Sequence, residues 1–109
     1  MKKLYHVTLM DNIQSILTNG LIPQIGERSL EYGETFNAVY MFPSIDDMEC
    51  ALMQWLGDWF NNNYGEEIPL AVLEITVPND FPIEYGVVQY EVFSRRVIPA
   101  IYIKFLREE

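Results

Sequence analysis

The chain has one cysteine and one histidine in 109 residues, and seven basic residues against sixteen acidic ones. A single cysteine, Cys50, cannot close an internal disulfide, so the core must hold the fold, and a reducing, cytoplasmic setting is expected. Cys50 and His6 show no paired spacing, which leaves no metal-ligand motif and no expected metal. The formal charge of −9 repels nucleic-acid phosphates, so direct nucleic-acid binding is not expected. The opening MKKLYHVTLMDN is interrupted by His6, Thr8 and Asp11, and it reads as neither a signal peptide nor a membrane span. Linkers, internal repeats and low-complexity runs are also missing.

Half of the residues are hydrophobic (50%) and 14% are aromatic, which is a globular composition and not a disordered one. Residues 1–109 are expected to form one domain. Residues 4–9 (LYHVTL) read as a strand. Asp11 or Asn12 can cap a short helix whose face carries Ile13, Ile16 and Leu17, with Gly20 and then Pro23 ending it. Residues 24–37 show no period and read as a long loop of the functional kind. Residues 38–42 (AVYMF) are a strand stopped by Pro43.

Ser44 with Asp47 begins a helix. Ile45, Met48, Leu52, Trp55, Leu56 and Trp59 step along one face, predicting a single helix that ends at residues 61–65. The two tryptophans are expected in the core, and Cys50 is expected to be a small buried hydrophobe. Residues 71–77, 87–93 and 101–106 are strands, with Glu74 at an edge or facing a site. Strand, helix, strand, helix and three strands together predict an α+β domain.

His6 is the one imidazole available. Alternation puts Leu4, His6 and Thr8 on one face of the first strand, and taken alone this is a polar face or a locally satisfied histidine. Gln89 lies two residues before Glu91, so an amide and a carboxylate leave one face of one strand. Taken alone, Gln89 fits an exposed glutamine on an edge strand.

The order of these motifs resembles the ADP-ribosyltransferase superfamily. Tyr5-His6-Val7-Thr8, then Ser15-Ile16 and Gly20-Leu21, is similar to the opening of RNA 2′-phosphotransferases and DNA-targeting ADP-ribosyltransferase toxins, although Val7 stands where several relatives have glycine. Val39-Tyr40-Met41-Phe42-Pro43-Ser44 resembles the family's second strand. Gln89-Tyr90-Glu91-Val92 with Ile98-Pro99 resembles the third motif.

The resemblance implies a compact split β-sheet with two main helices and an NAD-binding cleft. It gives Glu91 the catalytic role, stabilising charge on the nicotinamide ribose. His6, Val7, Thr8, Tyr40 and Arg28 bind NAD: His6 meets the adenosine ribose, Val7 main chain the carboxamide, and Tyr40 stacks on the nicotinamide. Gln89 faces the acceptor. The implied function is mono-ADP-ribosyl transfer to a protein or small molecule, in a toxin or a phage or host-conflict effector. The alternative is an inactive acidic binding protein that inhibits a basic, nucleic-acid-binding partner.

Overall fold

Apolar side chains on both faces of the opening strand set the layering, because each face needs its own cover. The structure, a computed structural model, describes residues 1–23, 37–85 and 91–109. Among the described residues the chain forms β1 (Lys2–Leu9), α1 (Ile13–Asn19), β2 (Val39–Met41), α2 (Ile45–Leu52), α3 (Trp55–Tyr64), β3 (Leu70–Val77), β4 (Glu84–Tyr85), β5 (Val92–Ser94) and β6 (Ile103–Glu108). The result is an α+β fold with two antiparallel sheets, ordered β1-β3-β6 and β2-β5-β4.

Leu4, Leu73, Ile75 and Val77 from the first sheet meet Val39, Met41 and Val92 from the second, with Ile16 of α1, to make one core. Tyr5, Val7 and Val72 on the opposite face of the first sheet pack against Met48, Ala51, Leu56 and Phe60 of α2 and α3. The layers therefore run sheet, sheet, helices. Trp55 and Trp59 pack against the second core, as their spacing predicts. No helix among the described residues is long and apolar enough to cross a membrane.

Several expectations are corrected. Three α-helices replace the two main ones, because the helix begun at Ser44 breaks at Met53–Gln54. Ser44 does cap it, accepting the Asp47 N–H at 3.0 Å. At the break, a Cβ on Gly57 would lie 1.8 Å from the Leu52 carbonyl oxygen, so the close approach of the two helices requires glycine. Asn12 makes no side-chain cap; its amide reaches back to Thr8 instead.

Leu17 is 42% exposed, leaving Ile16 as the buried anchor of α1. Cys50 is exposed on α2. Glu74 lies on the central strand, between Tyr5 and Lys104, and not on an edge. Residues 100–102 form a 3-10 turn, so the last strand starts at Ile103. The expected loop at 24–37 falls outside the described residues except for Asn37.

Gly20 ends α1 with φ of 84°, a conformation that favours glycine. The next residue, Leu21, exchanges two main-chain hydrogen bonds with Ile98, each 2.9 Å. This bridge fastens the first motif's Gly20-Leu21 to the third motif's Ile98-Pro99.

Candidate active site

The strands of the two sheets meet at one residue pair among those described. Tyr5 N–H donates to the Phe42 carbonyl at 2.9 Å, and Phe42 N–H donates to the Tyr5 carbonyl at 2.7 Å. Beyond that pair β1 and β2 diverge. Main-chain groups alternate in direction along a strand, so the N–H and C=O of Val7 point the same way as those of Tyr5, away from β3 and into the divergence. Among the described residues no main-chain group of β2 meets them. A donor and an acceptor thus lie side by side on one residue.

The His6 ring spans the gap. Its Nδ1 lies 2.6 Å from the Tyr40 carbonyl oxygen. A carbonyl only accepts, so Nδ1 donates. The polar face expected for His6 is not water-washed, since its neighbours Leu4 and Thr8 are both buried. Thr8 accepts a 3.1 Å hydrogen bond from the Asn12 side-chain amide, which joins the strand to the helix that follows.

Tyr40 and Glu91 are buried, at 6% and 2% exposure, rather than lining an open wall. Tyr40 is the cross-strand partner of Phe93, and their rings pack with centroids 5.7 Å apart. Glu91 immediately precedes β5, and period-two alternation gives it the face of Phe93 and Tyr40. Tyr40 and Glu91 therefore share one face of the second sheet. That face is opposite to the one carried by Val39, Met41 and Val92, which meets the first sheet. His6 projects from the inter-sheet face of β1 and touches the Tyr40 carbonyl, so the structure does not bring its side chain onto the face shared by Tyr40 and Glu91. Arg28 and Gln89 lie outside the described residues.

The motifs do not single out Arg95, but the structure does. It stands two residues beyond Phe93, its guanidinium carbon lies 5.8 Å from the Phe93 ring centroid, and its Nε is 3.0 Å from Glu84. Glu84 is in turn the cross-strand partner of Phe93.

Among the described residues no three His, Cys, Asp or Glu side chains converge to hold a metal ion. A groove of about 410 Å³ between α2, α3 and the start of β3 contains none of the predicted site residues. At its rim the Glu49 carboxylate hydrogen-bonds Arg107 and holds that guanidinium more firmly protonated. No protein-family model, curated protein or solved structure matches the chain.

Proposed function

We propose that the chain is an NAD⁺-dependent mono-ADP-ribosyltransferase acting on a protein or small-molecule acceptor. The observation that carries this reading is the split beside Tyr5–Phe42, where Val7 presents main-chain N–H and C=O together. A primary carboxamide such as that of nicotinamide has the complementary acceptor and donor. His6, held by the Tyr40 carbonyl, offers Nε2 to a ribose hydroxyl, and its tether fixes the ring before the ligand arrives. Tyr40 supplies an aromatic face, and Glu91 a carboxylate in a buried setting where charge acts strongly.

In the reaction, the bond from ribose C1′ to the nicotinamide nitrogen breaks and nicotinamide leaves with the electron pair. Positive charge grows on the sugar, and Glu91 stabilises it. The acceptor nucleophile then bonds to C1′ and gives up its proton to solvent. Because Tyr40 and Glu91 are buried, substrate must displace whatever covers them, and association is slower than diffusion.

The test is nicotinamide release from NAD⁺, with cell extract supplying the acceptor, alongside thermal unfolding at millimolar NAD⁺. Release and a raised melting temperature are expected, since a ligand of the folded state must stabilise it. Neither release nor a thermal shift would overturn the reading and leave the acidic binding protein as the better account.

A further inference from the structure

We propose that the groove between α2 and α3 docks a basic, amphipathic segment of a partner protein, taking one of its apolar side chains between the helices and its lysines or arginines at the rim. Such docking is independent of the NAD⁺ chemistry proposed above. Between Arg28 and Arg95 the sequence holds no lysine, arginine or histidine at all. Both helices and the start of β3 come from this stretch, which places Asp46, Asp47, Glu49, Asp58, Glu66 and Glu67 in and just after them. The helical layer therefore presents negative charge with no cation of its own to offset it.

The groove has about 410 Å³ of space, within the range that takes a ligand-sized group. Its apolar lining is Leu52, Met53, Phe60 and Leu70. Leu52 and Leu70 are only half-buried, and Met53, at the break between the helices, is 85% exposed. An unbranched thioether adapts to the shape of whatever apolar group it meets. An apolar side chain seated here removes from water a surface that the fold itself leaves wet.

One end of the groove is acidic. Arg107 is the cross-strand partner of Val72, whose side chain packs on the helices, so Arg107 projects toward the same layer. Its guanidinium bonds to Glu49 of α2 and, at 3.3 Å, to Glu109, and both carboxylates line the groove. Two carboxylates share one guanidinium, which leaves one negative charge in excess beside an apolar floor. A basic amphipathic segment matches both features, with apolar residues at i, i+3 and i+4 and cations between them. A second copy of the chain, carrying its own charge of −9, is repelled, and so are nucleic acids and anionic lipid surfaces.

The experiment is fluorescence anisotropy, without NAD⁺, of a dye-labelled helical peptide with leucines at i, i+3, i+4 and i+7 and lysines elsewhere. One companion peptide exchanges the lysines for glutamates, and another exchanges the leucines for serines. The wild type is expected to bind the parent peptide and to lose about tenfold or more with either companion. Met53→Glu adds a carboxylate while removing apolar contact, so charge alone would tighten binding whereas docking weakens it by about tenfold. Glu49→Gln and Glu67→Gln remove the same charge, one inside the groove and one outside it. Glu49→Gln should weaken binding by about two- to fivefold, and Glu67→Gln should stay near wild type. Because Met53 is exposed, its substitution leaves the core intact, and an unchanged urea midpoint checks this.

A Met53→Glu variant that binds as tightly as the wild type, equal losses in Glu49→Gln and Glu67→Gln, or a serine companion that binds like the parent would each overturn the groove in favour of diffuse charge attraction. A wild type that ignores the lysine peptide overturns the docking site outright. Sedimentation showing a dimer that Met53→Glu dissolves would assign the groove to a second copy instead. Nicotinamide release is measured separately, so these failures leave the transferase reading standing, and its failure leaves the groove standing.

Discussion

The transferase reading gives His6 a second job beside the Nδ1 contact with the Tyr40 carbonyl, and substitution can separate the two. Asparagine puts its amide nitrogen near the Nδ1 position, whereas glutamine puts it near Nε2. His6→Asn keeps a donor for the Tyr40 carbonyl, so its stability should stay near wild type while NAD⁺ affinity falls. His6→Gln should lose about 1–3 kcal/mol of stability by leaving a buried carbonyl without its donor. Urea unfolding read beside NAD⁺ titration checks the split, and equal stabilities for the two variants would show that the 2.6 Å contact does not clasp the sheets. Glu91→Gln makes the corresponding prediction for chemistry. Affinity should barely change while turnover drops by about 10²–10³, the loss typical of one electrostatic contact made in the transition state. Full activity in Glu91→Gln with loss in Glu74→Gln would mean that the carboxylate comes from the central strand instead. The burial of Tyr40 makes Tyr40→Ala a cavity mutant costing about 3–5 kcal/mol, so Tyr40→Leu, which keeps more of the volume and removes the aromatic face, is the variant that probes ligand contact.

Among the elements, the glycines rank themselves. Gly65 has φ of 90° and ψ of 160°, but a Cβ added there would meet nothing within 4 Å, so Gly65→Ala should cost only the backbone penalty of about 1–3 kcal/mol. Gly20 has φ of 84°, and its Cβ would also lie 2.3 Å from the Ile98 carbonyl oxygen. Gly20→Ala should therefore cost more than Gly65→Ala and should expose the Leu21 and Ile98 amides to hydrogen exchange. Equal melting temperatures for the two variants would refute that order. The Leu21–Ile98 bridge is not legible in the sequence, although both of its dipeptides are. β-branched and aromatic runs make residues 4–9, 38–42 and 71–77 readable as strands, but their order in the sheets depends on long-range pairing that no local pattern encodes. The break between α2 and α3 is hidden because Leu52, Trp55 and Leu56 keep one apolar spacing straight across it. Only the contact of Gly57 with the Leu52 carbonyl reveals it. At the site, His6 and Tyr40 are legible through motif order, while their actual contact, ring to carbonyl, is not. Ser94-Arg95-Arg96 reads as the start of a connection and is one: β5 ends at Ser94, whose hydroxyl accepts the Arg96 N–H at 3.1 Å and donates to the Arg96 carbonyl at 3.0 Å.

For the whole molecule, the charge of −9 opposes the approach of a net-negative dinucleotide. The Debye length is about 8 Å at physiological ionic strength and about 30 Å at 0.01 M, so added salt first removes the repulsion summed over the surface. The association rate of NAD⁺ should therefore rise with salt over this range, opposite to the usual steering of a charged ligand into an oppositely charged cleft. The acceptor enters with its own sign. A basic protein acceptor is drawn to this surface, so transfer to it should slow as salt rises, while hydrolysis of NAD⁺ by water should not. Stopped-flow binding and parallel assays of transfer and hydrolysis across a salt series separate these terms. An NAD⁺ association rate that falls with salt would mean that local positive charge governs the approach and that the acidic surface lies too far from the split to matter.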